Sequence, residues 1–413
     1  MCRIATLALH SSPLARLGER EAGGMSVYVG QLAMELPGRG FQIDIFTRRT
    51  DPHTPTIVPL GDGARVIHVP GGPAEPMDKL QVYCYLPEIT RNLFRFAQEQ
   101  DLRYRLVHSH YWLSGLAGHR LQTQWGIPHV AMFHTLGEVK NHARLGEREP
   151  ALRIEGEGKV VATADRLVAP NYHERSQLVR FYGASPAKIE IIPCGVDLDL
   201  FRPVGKDFAR RRLGLNSRRI VLFVGRMDPL KGLDILLQAV ARLEDREGLK
   251  VLVVGGSLEG DEGLSKYRAM AYEMGIANQV AFLGSLDQEE LPLYYNAADL
   301  CVVPSYYESF SLVAVEALAC GTPIIASRVG GLTGIVRDGE TGFLVPWRCP
   351  DPFTERLETL LGNDMLREHF SRAARKSVEK YAWPNIATRV QAMYEDLSQG
   401  WPDCCGAGAA CLS

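Results

Sequence analysis

The sequence has no large excess of charge of either sign and no long apolar run. Its 46 lysine and arginine residues nearly balance 48 aspartate and glutamate residues, and the formal net charge is -2. This balance argues against a protein that coats nucleic acid by bulk charge. The longest apolar runs have the length of strands, so we expect no segment that crosses a membrane. Residues 1–9 carry no cleavage-site pattern, so we predict no signal peptide and a cytoplasmic location.

A regular set of paired cysteines, which would indicate a disulfide framework, is also missing. The nine cysteines are scattered, and an odd number cannot pair completely within one chain. Cys2, Cys194, Cys301 and Cys320 lie in apolar patterns, where we expect buried free thiols. Three further cysteines lie near the end of the sequence: Cys404, Cys405 and Cys411. No cluster of histidines or acidic residues accompanies them, so we predict that they bind no metal.

Two nucleotide-binding fingerprints are absent as well. No G-x-G-x-x-G follows a strand pattern, which argues against a nicotinamide dehydrogenase, and no glycine loop ends in GK[ST], which excludes a P-loop.

What the sequence does contain is a repeated alternation of apolar strands and amphipathic helices. Such alternation predicts an α/β fold with parallel sheets covered on both faces. Predicted strands are 4–9, 43–47, 66–69, 106–108, 129–133, 166–169, 189–192, 220–224, 250–254, 280–283, 300–303 and 323–326, and predicted helices include 26–36 and 88–98. After about residue 346 the pattern is helical only.

The 413 residues suit two to three domains. Proline and glycine punctuate residues 194–206, where we expect the boundary between two doubly wound domains. The predicted units are an acceptor-binding domain over 1–200, a nucleotide-sugar-binding domain over 201–380, a helix over 381–400 that packs back on the first domain, and a tail over 401–413.

Ligands bind outside the carboxyl ends of the strands in such sheets, and unusual residues follow several predicted strands. Gly23 and Gly24 open a helix, where backbone N–H groups and the helix dipole favour an anion. Arg226 and Lys231 lie on the loop GRMDPLKG after a strand, and two such cations suit a diphosphate. Taken alone, the two glycines are also compatible with an ordinary turn from loop to helix. The two cations are also compatible with solvated side chains that bind nothing.

Two carboxylates follow another strand. Glu308 lies before a predicted helix and Glu316 two turns inside it. The two are eight residues apart in ESFSLVAVE, a little over two helical turns, so we expect both to face one cleft. A carboxylate there accepts hydrogen bonds from sugar hydroxyls, and the amides of 310–312 at the helix start suit phosphate or sugar oxygens. An ordinary acidic helix start is the alternative.

Histidines follow two neighbouring strands of the first half. His108 and His110 come after one predicted strand and His134 after the next, and we expect them to supply polar contacts in one cleft. No third ligand is spaced to complete a metal site.

Together these motifs, with AGGMSVYV, SHYWLSG and HTLGEVKN, resemble glycosyltransferase family 4, the retaining enzymes of GT-B architecture. The resemblance extends over about residues 1–400, and within the family it is closest to the transferases that act on inositol phosphate and to the sucrose-phosphate synthases. It implies a hexosyltransferase that uses a UDP-sugar and a phosphorylated acceptor, with no required cofactor and no essential Mg²⁺.

The resemblance also implies roles for individual residues. Four would be catalytic: Arg226, Lys231, Glu308 and His134. The donor site would comprise Gly23, Gly24, Arg226, Lys231, Leu286, Glu308, Phe310, Ser311, Leu312 and Glu316. In this set Ser311 stands where the family usually has glycine, and we expect a small change in the shape of the sugar pocket. The acceptor site would comprise Lys79, Tyr111, Thr135, Arg153 and His110.

Taken without the resemblance, the acceptor residues look ordinary. Lys79 reads as a solvated loop lysine and Arg153 as a helix-surface residue. Two cations, a phenol and a hydroxyl would hold a phosphate by charge-assisted hydrogen bonds if they converged.

Several alternatives stay open at this point. A lipid or other non-phosphorylated acceptor is one, and a non-catalytic sugar-nucleotide-binding protein is another. The sequence does not distinguish inositol phosphate from fructose 6-phosphate, or glucose from N-acetylglucosamine. It leaves the base of the donor and the oligomeric state open and is compatible with a homodimer.

Overall fold

Two sheets of mainly parallel strands follow one another along the chain. The structure, a computed structural model, describes residues 2–15, 23–143, 148–258, 260–346 and 348–398. The tail 401–413 and its three cysteines lie outside these ranges, as does Ala22 of the AGGMSVYV motif.

The first sheet has eight strands: β1 Cys2–Leu7, β2 Phe41–Arg48, β3 Ile57–Pro59, β4 Ala64–Val69, β5 Leu106–His110, β6 His129–Met132, β7 Arg166–Ala169 and β8 Ile189–Ile191. Their order is β3-β4-β2-β1-β5-β6-β7-β8, and all pairs are parallel except β3 with β4. Its helices are α1 Gly24–Glu35, α2 Lys79–Glu99, α3 Trp112–Trp125, α4 Gly137–Ala143, α5 Ala151–Thr163 and α6 Tyr172–Tyr182.

The second sheet has six parallel strands: β9 Arg219–Val224, β10 Leu249–Val254, β11 Val280–Gly284, β12 Leu300–Val303, β13 Ile324–Ser327 and β14 Gly342–Val345. Their order is β11-β10-β9-β12-β13-β14. The helices here are α7 Lys206–Leu213, α8 Leu233–Ala241, α9 Glu262–Glu273, α10 Leu291–Ala297, α11 Leu312–Ala319, α12 Leu332–Ile335, α13 Pro350–Leu361, α14 Asp364–Val378 and α15 Trp383–Leu397.

These two Rossmann-like sheets confirm the predicted α/β fold class, and each predicted strand overlaps an observed one. The central strands are buried along nearly their whole length because helices cover both faces. The sequence missed β3 and β14, which have three and four residues.

Helix α2 is longer than predicted. It begins at Lys79 because Asp78 and Gln81 form a capping box, and it continues through Pro87. The helix predicted over 88–98 therefore began nine residues too late.

The last helix crosses back to the first sheet. The Tyr394 hydroxyl lies 2.7 Å from His108 Nδ1, and Arg166 pairs with Asp396 at 2.7 Å. At the other end of α15, the Trp383 N–H donates to the Val196 carbonyl in the segment that joins the two sheets. The C-terminal helix therefore ties both halves of the molecule together.

Candidate functional site

Both halves place their unusual residues at the point where the strand order reverses. In the first sheet this point lies between β1 and β5, and in the second it lies between β9 and β12. The crevice outside the carboxyl ends of such strands is the usual ligand site of an open α/β sheet. The residues that follow these four strands therefore define the candidate site.

The glycine pair forms the amino end of α1. Gly23 is the N-cap residue, and its carbonyl accepts from the N–H groups of Ser26 and Val27. A Cβ added to Gly24 would lie 3.4 Å from the side chain of Leu312, the first residue of α11 in the other half. The amino ends of α1 and α11 thus approach each other, and both carry the partial positive charge that favours an anion.

The loop after β9 carries two cations that are paired with carboxylates. Lys231 Nζ lies 2.8 Å from Glu308 Oε1, and Ser305 Oγ donates to the same oxygen at 3.0 Å. Arg226 Nη2 lies 3.4 Å from Asp228 Oδ2. The structure therefore brings Lys231 and Glu308 together.

The close approach of this loop to β12 requires a glycine. Gly232 has a φ of 70°, and a Cβ there would lie 2.1 Å from the Pro304 carbonyl oxygen. A side chain would separate the two loops, and the Lys231–Glu308 pair with them.

Glu308 lies before a helix and Glu316 inside it, as the sequence predicted, while their facing one cleft stays a prediction. Helix α11 begins at Leu312 and is capped by Ser311 Oγ, which accepts from the Ala314 N–H at 3.3 Å, so Glu308 lies in the preceding loop. Glu316 lies inside α11, where its Oε2 accepts from the Tyr295 hydroxyl at 2.8 Å. Burial raises the pKa of Glu316 to about 7, despite that hydrogen bond.

Other predicted donor residues lie near these carboxylates. Phe310 is buried and packs edge-to-face on Tyr381 at 5.6 Å between ring centroids. Leu286 is half-buried against the same apolar core, in the loop between β11 and α10. Their predicted contacts with a donor stay predictions.

The sequence predicted that His108 and His110 follow a strand. In the structure both lie within β5. His108 and His110 share one face, with ring centroids 4.4 Å apart, because side chains two residues apart in a strand point the same way. His110 Nδ1 lies 3.0 Å from His134 Nε2. His110 is fully buried, so any effect it has on a ligand passes through His134.

Desolvation keeps these rings neutral. It lowers the pKa of His134 and of His108 to about 3, and it lowers the pKa of His110 well below its ordinary value. At neutral pH these histidines accept or donate hydrogen bonds without contributing positive charge.

Two residues at this edge have strained backbones. Tyr111 has a φ of 76° and His134 a φ of 61°, a region that non-glycine residues rarely adopt. Tyr111 directly follows β5, and His134 lies two residues beyond the end of β6. The packed sheet therefore holds both strained backbones in place. Such strain is typical of side chains that are aimed into a functional cleft.

The four remaining predicted acceptor residues converge. Lys79 Nζ lies 5.7 Å from the centre of the Tyr111 ring, and the Arg153 guanidinium lies 5.0 Å from it. Arg153 Nη2 also donates to Thr135 Oγ1 at 3.0 Å. We refer to Lys79, Tyr111, Thr135 and Arg153 as the cation cluster.

The expectations drawn for two of these residues in isolation are wrong. Arg153 is 3% exposed and not on the helix surface, and Lys79 is the half-buried first residue of α2 and not part of a loop. Arg153 Nη1 pairs with Glu149 at 2.9 Å and Nε pairs with Glu157 at 2.8 Å. Two carboxylates therefore compensate the buried guanidinium, as a charge in the interior requires.

Sequence reasoning missed His10. It follows β1, and its ring centroid lies 4.2 Å from that of Tyr111. Burial first, then the charges of Lys79 and Arg153 and the nearby His134, lower its pKa well below the ordinary value. Its position just after a strand was the signal that could have identified it.

The buried thiols are confirmed. Cys2, Cys194, Cys301 and Cys320 are buried thiols that form no disulfide among the described residues. Across the described ranges, no cluster of three or more His, Cys, Asp or Glu residues could hold a metal ion. No helix within those ranges is long and apolar enough to cross a membrane.

Known proteins resemble the whole chain. Residues 22–200 match the model of glycosyltransferase family 4, and residues 205–377 match that of the glycosyl transferases group 1. The D-inositol 3-phosphate glycosyltransferase of Thermomonospora curvata is 42% identical, with 95% of each chain covered. Its counterpart from Mycobacteroides abscessus is 44% identical over 95% of this chain and 88% of that protein. The solved structure of sucrose-phosphate synthase from Thermosynechococcus elongatus superposes with a TM-score of 0.90 at 33% identity, covering 97% of this chain and 100% of that one.

Proposed function

The chain belongs to the family 4 glycosyltransferases of GT-B architecture, and we propose that it transfers a glucosyl or N-acetylglucosaminyl group from a UDP-sugar to an inositol phosphate. The proposed reaction retains the configuration at the anomeric carbon. Fructose 6-phosphate is the second candidate acceptor, because a sucrose-phosphate synthase shares the fold at 33% identity.

The cation cluster is the observation that carries the proposal. Lys79 and Arg153 flank the Tyr111 ring, and Thr135 adds a hydroxyl beside the guanidinium. A phosphate would find charge-assisted hydrogen bonds from both cations and neutral ones from the two hydroxyls. A non-phosphorylated acceptor would make no use of these two cations.

The donor fits the opposite side of the cleft. A diphosphate would replace the carboxylates that now neutralise Arg226 and Lys231, and it would lie near the amino ends of α1 and α11. Glu308, released from Lys231, would then accept hydrogen bonds from the hydroxyls of the transferred sugar. Glu316 is our candidate for the ribose hydroxyls, by the family resemblance.

The two carboxylates beside the cation cluster support a mechanism without a covalent glycosyl-enzyme. A retaining glycosidase needs a free carboxylate beside the anomeric carbon. Glu149 and Glu157 are instead both paired with Arg153. We therefore propose that the acceptor hydroxyl attacks on the face that the diphosphate leaves, and that a phosphate oxygen takes its proton. Arg226, Lys231 and the two helix ends would stabilise the charge that develops on the leaving group.

A nucleotide-release assay tests this proposal. UDP-glucose and UDP-N-acetylglucosamine are each offered with inositol phosphate, with fructose 6-phosphate and with unphosphorylated inositol, and the released UDP is measured. We expect release with one phosphorylated acceptor and background release with inositol. The anomeric configuration of the product, read from its NMR coupling constant, tests retention.

Two outcomes would contradict the proposal. Equal release with inositol and inositol phosphate would remove the phosphate role of the cation cluster. Donor binding without transfer to any of these acceptors would favour a non-catalytic sugar-nucleotide-binding protein.

A further inference from the structure

The start of α6 in the first half contacts the loop that carries Glu308 in the second half. Asn171 Nδ2 donates to the Ser309 carbonyl at 2.5 Å, and the Ser309 hydroxyl donates to Glu174 Oε2. These hydrogen bonds join the two halves directly beside a predicted donor-binding carboxylate.

The geometry of α6 explains why both side chains point out of the helix end. Asn171 is the N-cap residue, and its Oδ1 accepts from the Glu174 N–H at 2.9 Å. Glu174 is therefore at the third helical position, where a glutamate usually reaches back to the N-cap residue's own N–H. Here its carboxylate reaches to Ser309 instead. Glu174 is 1% exposed, and its Oε1 has no hydrogen-bond partner among the described residues.

A buried glutamate in the first turn of a helix is unusual. Such residues are almost never fully buried unless they are paired, and an unsatisfied buried oxygen costs stability. Burial, opposed by the Ser309 hydrogen bond, raises the pKa of Glu174 to about 7, and nearby Glu157 adds to the increase. This arrangement is not one that folding alone favours.

A second pair of glycines, Gly330 and Gly331, contacts the Glu308 loop from its other side. The Gly331 N–H donates to the Glu308 carbonyl at 3.0 Å, and a Cβ added to Gly330 would lie 1.8 Å from that same oxygen. Ser309 is therefore fixed between the glycine pair of its own half and the start of α6. Since Glu308 precedes Ser309 and its carboxylate pairs with Lys231 at 2.8 Å, the position of Ser309 sets the position of that carboxylate.

We propose that Glu174 is a positioning residue that, through Ser309, holds Glu308 in place for the donor sugar when the two halves meet. The proposal rests on the proposed function, because it takes Glu308 as a donor ligand. Glu174 touches no substrate in this account and acts only through Ser309.

The protonation of Glu174 links this contact to pH. Ser309 is the hydrogen-bond partner of Glu174. The titratable groups that face Glu174 are Glu157 of α5, Tyr307 of the same loop as Ser309, and Cys194 of the connecting segment. His173 and Arg175 flank it in the chain. A solvated glutamate has a pKa of about 4.3, so contact between the halves favours the protonated form. The contact should weaken as pH rises from about 4.5 to about 7 and change little above that.

The test is a double-mutant cycle on donor binding. Calorimetry with UDP-glucose, without acceptor, is applied to the unaltered protein, Glu174→Ala, Ser309→Ala and the double variant. We expect each single variant to weaken binding about ten-fold, the upper range for one buried hydrogen bond, and the double variant to lose no more than either. Glu190→Ala, which removes an exposed glutamate of the same half, is the matched control and should bind as the unaltered protein does.

Glu174→Gln separates positioning from folding. The amide has the shape of the neutral acid and still accepts from Ser309, so we expect near-normal affinity at pH 5, where Glu174 is mainly protonated. The ratio of its affinity to that of the unaltered protein, measured from pH 5 to pH 8, isolates Glu174, because Glu316 and the nucleotide titrate in both proteins. We expect this ratio to favour Glu174→Gln increasingly from pH 5 to about pH 7 and to level off between pH 7 and pH 8.

The outcomes distinguish this inference from the proposed function. If the unaltered protein binds no UDP-sugar, both are overturned. If the unaltered protein binds donor and releases UDP with acceptor, but the variants bind equally well or their losses multiply to about a hundred-fold, only the role of Glu174 is overturned. If Glu174→Ala does not fold, Ser309→Ala and Glu174→Gln still test the role of Glu174. Normal donor binding by Ser309→Ala would overturn that role. So would an affinity ratio between Glu174→Gln and the unaltered protein that does not change with pH.

Discussion

The two halves place polar residues at the same point of the same kind of sheet, but they build those points from different chemistry. In the first half, buried histidines are kept neutral by desolvation, and one guanidinium is enclosed with two carboxylates. In the second half, Arg226 and Lys231 lie on a partly exposed loop and pair with single carboxylates. The first half is therefore suited to fixing shape and the second to exchanging one anion for another.

The two halves also differ in the backbone conformation of the residues at the candidate site. At its candidate site the first half holds two non-glycine residues, Tyr111 and His134, at positive φ. The second half uses glycines where loops meet, at Gly232 and Gly330. A strained side chain persists only where packing over-determines it, whereas a glycine turn allows close approach at little cost. The difference indicates a rigid acceptor side and a donor side whose loops exchange partners.

The largest expected effect comes from removing a donor-side cation. Lys231→Ala should lower turnover about 10²–10³-fold, because a preorganised group facing the developing charge contributes roughly 3–4 kcal/mol. UDP release at saturating donor and acceptor measures this loss.

Lys266→Ala, an exposed lysine of α9, is the matched control. Thermal unfolding of both variants shows whether the fold survives. Near-normal turnover in a folded Lys231→Ala variant would contradict the assignment of charge stabilisation to the second half.

The next effect tests the acceptor side. Lys79→Ala should raise the KM for the phosphorylated acceptor about ten-fold or more, the size of a lost charged hydrogen bond, and leave the Kd for UDP-glucose unchanged. Lys159→Ala, exposed on α5, is the control. A loss that affects the donor and not the acceptor would reverse the division between the halves.

The pattern of apolar strands was enough to predict this division of the chain into two sheets. Parallel strands buried on both faces leave a strong signal, whereas β3 and β14 are short strands at the edges of their sheets, and β3 is largely exposed. The ends of the strands also indicated Arg226, Lys231 and His134. The same argument applied to His10 would have added it, since it follows β1.

Contacts between distant segments could not be predicted from the residues. Lys79 and Arg153 are separated by 74 positions of sequence, and nothing in either segment indicates that they share the Tyr111 ring. The burial of Arg153 depends on Glu149, Glu157 and Thr135 closing around it. The spacing of Glu308 and Glu316 was enough to place the first before the helix and the second inside it, but the contact of Glu316 with Tyr295 again joins separate segments.

A smaller effect would sharpen the picture of the acceptor side. Although burial acts to raise it, the charges of Arg153 and Lys140 hold the pKa of Glu149 below its ordinary value, so this carboxylate is ionised and competes with an incoming phosphate. Glu149→Gln should therefore lower the acceptor KM by up to about five-fold, the upper range for a partly exposed ion pair. Glu155→Gln, exposed on α5, should change nothing. A raised KM would show that Glu149 orients Arg153 and does not compete.

The smallest expected effect is that of removing divalent cations. On the donor side a diphosphate would meet Arg226, Lys231 and the amino ends of α1 and α11, which together can neutralise its charge without Mg²⁺. UDP release in excess EDTA should stay within about two-fold of the rate with Mg²⁺, while Lys231→Ala should remain impaired in both, since an aqueous cation does not reproduce a preorganised one. A loss in EDTA that added Mg²⁺ restores would mean that the loop cations of the second half do not suffice. Rescue of Lys231→Ala by Mg²⁺ would show in addition that charge alone, and not its fixed position beside Glu308, is what this half supplies.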